Sequence, residues 1–174
     1  DREGTLRVID KLAKIGPAGV TAQLTALGLT EEQVAFALAL ASILTRDTSF
    51  VEQVRALAGS NETLEEGLAE MAALIEGGDS RHMMADLSIA RGLDYYTGTV
   101  YEVTLDEREG LGAISAGGRY DSLVTDGKRT FPGVGLSLGI TRLVGALLAG
   151  NEATRAVPTA VLVAVTSAES HAQS

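Results

Sequence analysis

Twelve residues, Arg91 to Glu102 (Arg-Gly-Leu-Asp-Tyr-Tyr-Thr-Gly-Thr-Val-Tyr-Glu), hold two glycines, an arginine, an aspartate and three of the chain's four tyrosines. The remaining tyrosine follows in Gly117-Gly118-Arg119-Tyr120-Asp121. A protein core spreads its large aromatics, because each fills its own gap. Tyrosines gathered beside arginines and paired glycines point instead to a polar, shaped pocket for a small ligand. Arg91 closes a stretch whose inner face is apolar, and so presents a fixed cation at a sheet edge. A guanidinium there can hold a carboxylate or a phosphate oxygen through two parallel hydrogen bonds. Taken alone, such an arginine more often ends in an ion pair, here with Asp94 or Glu102. Tyr95 and Tyr96, taken singly, are better explained by one buried and one exposed ring than by a ligand role.

The glycines favour a ligand. Gly117-Gly118 lets backbone approach a bound molecule closely, at an entropic cost that needs some return; a simple turn would explain two glycines but not their placement at the end of an apolar strand. A third segment, Gly133-Val-Gly135-Leu-Ser-Leu-Gly139-Ile-Thr-Arg142-Leu143, reads as a glycine-spaced strand entering a helix. It has neither the Gly-Lys-Ser/Thr ending of a Walker loop nor the glycine spacing of a dinucleotide-binding turn. Arg142 in the first helical turn can stack on a base and reach a phosphate. In isolation it reads equally well as a solvated helix residue.

The first third of the chain is predicted to be helical. Apolar residues at Leu6, Val8, Ile9, Leu12 and Ile15 fit a helix that Gly16-Pro17 breaks, and Val20 to Leu27 forms a second, ended by Gly28. Thr30-Glu31-Glu32-Gln33 has the capping-box pattern and opens a helix to about Leu44. That helix is apolar nearly all round and is expected to be buried. Phe50–Leu57 and Leu64–Ile75 give two more, the latter with Leu64, Leu68, Met71 and Leu74 on one face, and Gly77-Gly78-Asp79 ends the region. The pattern then becomes strand-like: Ala85–Arg91 alternates, Thr97–Leu105 is rich in β-branched and aromatic residues, and Leu111–Ala116 and Gly133–Leu138 follow. Asp106–Gly110 is a charged turn, and a helix runs from about Ile140 to Leu148. Short connections between strands favour an antiparallel sheet.

Composition bounds the function. The chain has 174 residues, 45% of them hydrophobic and 21% charged, enough for one substantial core. No apolar run approaches the roughly 20 residues of a membrane span. Cysteine is absent, which fits a reducing cytoplasm, and the only histidines, His82 and His171, lie far apart. A zinc site and a Ser-His-Asp nucleophile therefore have little support. With a net charge of −9 and three lysines, the surface is not built to grip nucleic acid by itself. Asp1-Arg2-Glu3-Gly4 lacks a methionine and a signal segment, and Val157–Val165 begins an apolar strand nine residues before the end. Both are expected of a piece of a longer protein.

In this order and spacing, the three segments resemble the histidyl-tRNA synthetase family of class II aminoacyl-tRNA synthetases. Arg91-Gly-Leu-Asp-Tyr-Tyr96 resembles its first histidine signature, Gly117-Gly-Arg-Tyr-Asp121 its second, and Gly135 to Arg142 class II motif 3. The resemblance implies an α+β fold, part of the antiparallel class II sheet with flanking helices. An all-helical insertion domain (1–80) would precede the C-terminal part of the catalytic domain (81–150) and the start of an anticodon-binding domain (151–174). It further implies that L-histidine and ATP react to histidyl-adenylate, with transfer to tRNA(His), in a cytoplasmic homodimer with Mg2+ accompanying ATP. Arg91 would contact the histidine carboxylate and the α-phosphate. Tyr95, Tyr96, Gly117, Gly118 and Tyr120 would form the histidine pocket, and Gly135, Gly139 and Arg142 would bind ATP. No metal ligand, membrane contact or tRNA surface is assigned, tRNA being held mainly by parts absent here. Thr141 stands where many class II enzymes have a glutamate. Motifs 1 and 2 have no counterpart, so the chain alone is expected to be inactive or nearly so. The same fold also serves as a non-catalytic regulatory subunit of ATP phosphoribosyltransferase, against which the intact Arg91 signature and Arg142 argue. The helical part as an independent tRNA-binding module is a further alternative, weakened by the acidic balance.

Overall fold

The computed structural model describes residues 2–79, 81–90, 95–106 and 108–148. They fall into two compact units, one ending at Gly139 and the other beginning at Ile140. Arg91, Gly92, Leu93, Asp94 and everything from 149 onward, including the expected strand at Val157–Val165, lie outside the described residues.

The helices follow their local signals. Helix α1 (Arg2–Ile9) is succeeded by α2 (Leu12–Ala26), in which Gly16 takes a positive φ of 69° immediately before Pro17. The expected break is thus a kink, formed where only glycine is unstrained and where proline offers no amide hydrogen. Thr30 caps α3 (Glu31–Ala41): its hydroxyl accepts from the Gln33 N–H at 3.3 Å, and Gln33 Oε1 accepts from the Thr30 N–H at 3.0 Å. The apolar circumference of α3 is not enclosed as expected. Val34 and Ala41 are buried, but Phe36 keeps 42% of its surface exposed. Val34 and Ala41 pack with Val8, Ile9, Val20 and Leu24 into one core.

A second core joins α4 (Phe50–Ala58) to α5 (Glu62–Gly77) through Phe50, Val54, Leu68 and Ile75, with Leu64 and Met71 packed against it. The inward stripe of α5 therefore runs through positions 64, 68, 71 and 75, the helical spacing. Leu74, expected on that face, is 46% exposed. Asn61 Oδ1 caps α5 by accepting from the Leu64 N–H at 3.0 Å, and Arg55 on α4 grips Glu65 through two hydrogen bonds of 3.1 and 2.6 Å. Core, cap and ion pair fix α5, which matters because α5 carries a residue of the candidate site.

The predicted strand over Ala85–Arg91 shrinks to β2 (Ala85–Asp86), paired antiparallel with β1 (Leu44–Thr45). Asp86 Oδ1 accepts from both the Ser88 N–H (2.8 Å) and the Ser88 hydroxyl (2.6 Å). That local closure competes with strand pairing and ends it. The sheet proper is an antiparallel meander of β3 (Val100–Val103), β4 (Ser115–Thr125) and β5 (Thr130–Leu138), in the order β3-β4-β5. A 3-10 turn, Glu109–Leu111, precedes β4. The third strand was expected to stop at Ala116, with Gly117-Gly118 beyond it. Instead β4 runs through both glycines to Thr125, pairing Gly117 with Tyr101 on one side and with Leu136 on the other. In the second unit, helix α6 (Ile140–Leu148) lies where the sequence predicts it and carries Arg142 in its first turn.

Candidate functional site

Side chains alternate across a strand, so β4 divides the Gly117–Asp121 segment between two faces. Gly118 and Tyr120 share one face with Gly133 and Gly135 of β5, while Gly117 and Arg119 lie on the other. On the first face the tyrosines converge. The ring of Tyr96 lies over Gly118, where an added Cβ would sit 2.8 Å from its Cδ1 and Cε1. Tyr120 covers Gly133 and Gly135, whose added Cβ atoms would stand 2.6 and 3.0 Å from its ring. Tyr95 completes the group, with ring centroids 4.5 Å from Tyr96 and 6.3 Å from Tyr120, the latter edge-on at 80°. The Tyr95 and Tyr96 hydroxyls are 3.5 Å apart, so one small polar group can address both.

The glycines have a packing role within the sheet. An added Cβ at Gly117 or Gly118 would run into the protein's own aromatics and backbone. The Tyr101 hydroxyl would be 2.6 Å from a Cβ on Gly117, and it donates to the Gly135 carbonyl at 3.1 Å. Each glycine in the sheet is a seat for a tyrosine, the cross-strand packing that offsets a missing side chain.

Behind Tyr96 runs a polar brace that the sequence did not reveal. Glu70 on α5 accepts at Oε1 from the Thr99 N–H and the Thr99 hydroxyl, both at 2.9 Å. Its Oε2 accepts from Arg119 Nη1 at 2.9 Å. Arg119 also forks onto Asp121, from Nε at 3.2 Å and Nη2 at 3.0 Å, and Asp121 Oδ2 accepts from the Thr97 hydroxyl at 2.9 Å. Hydrogen bonds from Thr99 and the nearby Arg119 charge hold the Glu70 carboxyl below its usual range. Arg119, with the Thr97 hydroxyl, does the same for Asp121. A cleft of about 880 Å³ opens here, lined among others by Glu66, Glu70, Asp86, Tyr96, Thr99 and Arg119. A signal that could have pointed to the brace is Gly98, where an added Cβ would lie 2.8 Å from Glu70 Oε1 and 3.0 Å from Arg119 Cδ. Glu70 itself, on a helix with several exposed glutamates, carried none.

Of the residues singled out from sequence, the structure brings together Tyr95, Tyr96, Gly118, Tyr120 and Gly135 on one face and turns Gly117 to the other. Gly139 follows β5 and donates its N–H to the Ile114 carbonyl at 2.7 Å. Arg142 belongs to the second unit. Arg91 lies outside the described residues.

A tyrosine cluster seated on these glycines carries the signatures noted in the sequence, and comparison with known proteins decides the family. The sequence model of histidyl-tRNA synthetase matches residues 6–143. The chain belongs to the histidyl-tRNA synthetase family. It is 56% identical to the histidine–tRNA ligase of Micrococcus luteus over 97% of its own length and 38% of that protein. The histidine–tRNA ligase of Cutibacterium acnes is 47% identical, over the whole chain and 40% of that relative. A crystal structure of histidyl-tRNA synthetase from Nostoc sp. PCC 7120 superposes with a TM-score of 0.76 at 37% identity, covering 85% of this chain and 36% of that one. The chain thus spans about two fifths of the length of these curated relatives. Its α+β architecture is that of the histidyl-tRNA synthetases. Among the described residues no helix is long and apolar enough to cross a membrane.

Two outcomes test the geometry. Gly118→Ala forces a methyl group against the Tyr96 ring and the Thr99 carbonyl, and is expected to destabilise by about 1–3 kcal/mol. Gly110→Ala meets nothing within 4 Å and should fall within about 0.5 kcal/mol of wild type; urea melts of both variants compare them. For the brace, the folded-state values of Glu70 and Asp121 are depressed. Their contribution is therefore present above the unfolded carboxylate range and lost as pH falls through the folded values. Melting temperatures recorded from pH 7 to pH 3 should show a smaller acid loss in Glu70→Gln than in wild type.

Proposed function

We propose that this chain is part of a histidine–tRNA ligase, and that its tyrosine face forms one wall of the histidine pocket. Support comes from family membership across residues 6–143 together with the convergence of Tyr95, Tyr96 and Tyr120 on one face. In the reaction a histidine carboxylate oxygen attacks the α-phosphorus of ATP, the bond to pyrophosphate breaks, and histidyl-adenylate results. A terminal ribose hydroxyl of tRNA(His) then attacks the acyl carbon, and AMP leaves.

The tyrosine hydroxyls can both donate and accept, which suits an imidazole, whose two ring nitrogens carry one donor and one acceptor. A site built on such bonds rejects apolar isosteres strongly, because its own polar groups would be left unpaired. Arg91, four residues ahead of Tyr95 in sequence, would stabilise the charge that builds between carboxylate and α-phosphate. Arg142 would stack on adenine or hold the γ-phosphate. Among the described residues no three His, Asp or Glu side chains gather to hold a metal. Mg2+ would arrive on the phosphates of ATP, and no step is assigned to a protein-bound ion. The full protein would work in the cytoplasm as a homodimer, with tRNA held mainly outside this chain.

Histidine-dependent exchange of pyrophosphate into ATP by the full-length protein tests this reading. Exchange is expected in wild type, with a loss of about 10²–10³-fold in Arg91→Ala. A folded full-length protein without exchange would sink the ligase reading and favour the regulatory paralogue.

A further inference from the structure

Thr97-Gly98-Thr99 forms a short strap between Tyr96 and β3. Its backbone extends the ladder onto β4, since the Thr97 N–H donates to the Arg119 carbonyl and the Arg119 N–H to the Thr99 carbonyl, both at 3.0 Å. Side chains hold it from two directions. Glu70 takes both donors of Thr99, and Asp121 takes the hydroxyl of Thr97. Arg119 joins the two carboxylates through its fork. As exposed ion pairs alone these contacts would contribute little. Their placement is what matters: a helix residue and a sheet residue grip the strap that begins directly after the Tyr96 ring.

We propose that Glu70 and Arg119 are positioning residues for the histidine pocket, holding the 97–99 strap and through it setting where the Tyr96 ring lies over Gly118. This rests on the ligase reading above. Neither residue need touch substrate. Glu70 gives α5 a direct hold on the pocket wall, and Arg119 ties that hold to the back of the same strand that presents Tyr120. Displacing a pocket group by about 1 Å can cost about 10²-fold in rate, so a loosened strap should be read out in histidine use before it is read out in folding.

The experiment compares wild type, Glu70→Gln, Glu70→Ala and Arg119→Lys in the full-length protein by pyrophosphate exchange. Glu70→Ala is expected to raise the histidine KM by about 10-fold or more, within the misplacement cost above, with the ATP KM and melting temperature little changed. Glu70→Gln keeps an acceptor for Thr99 and should lie nearer wild type. Arg119→Lys keeps the charge but loses the two-sided fork and should resemble Glu70→Ala. An unchanged histidine KM in Glu70→Ala would overturn the proposal, as would equal changes in both KM values accompanied by a fall in melting temperature. If wild type shows no histidine-dependent exchange, the ligase reading fails, and amide hydrogen exchange then decides the strap. Faster exchange at Thr99 and Tyr96 in Glu70→Ala would support it, and unchanged exchange would overturn it.

Discussion

Everything in the candidate site depends on the absence of side chains at Gly118, Gly133 and Gly135. A Cβ at any of the three would stand 3.0 Å or less from a tyrosine ring, closer than packed carbon atoms approach. Glycine in a strand gives up conformational entropy and cross-strand contact. Here both losses are offset by a large amphipathic ring laid on the bare backbone. The arrangement lays the aromatic wall directly on the sheet, with the hydroxyls of Tyr95 and Tyr96 3.5 Å apart. Tyr101 does the same on the opposite face, over Gly117, so β4 is clasped by aromatics from both sides.

That seating explains why β4 continues where the sequence predicted it to stop. Paired glycines ordinarily end or bulge a strand, and read along the chain they look like a terminator. The rings that replace their missing side chains come from residues 96 and 101, distant in sequence, and no local pattern announces them. Gly133 and Gly135 were legible as an open strand face, but what fills that face is Tyr120 of the neighbouring strand. The family signatures pointed to these residues; the physical reason for their glycines emerged only from the pairing register.

The helical part was more transparent because its signals are local. The Thr30 capping box and the Gly16-Pro17 kink each lie within one turn of the residues that reveal them. Errors arose where tertiary context overruled periodicity. Asp86 captured Ser88 and cut short a strand whose alternation was plain, while Leu87 and Ala90 packed against the helical cores instead. Glu70 was invisible for the opposite reason: its importance lies wholly in partners 29 and 49 residues away.

Helices and sheet are thus joined through a few charged groups at the point where the proposed ligand wall begins. The most direct test of this account is a crystal structure of the full-length protein with histidine bound. It should show the imidazole against the hydroxyls of Tyr95, Tyr96 and Tyr120, with the Tyr96 ring still seated over Gly118. Histidine bound away from that face, or a Tyr96 ring lifted from Gly118 to admit it, would contradict the account.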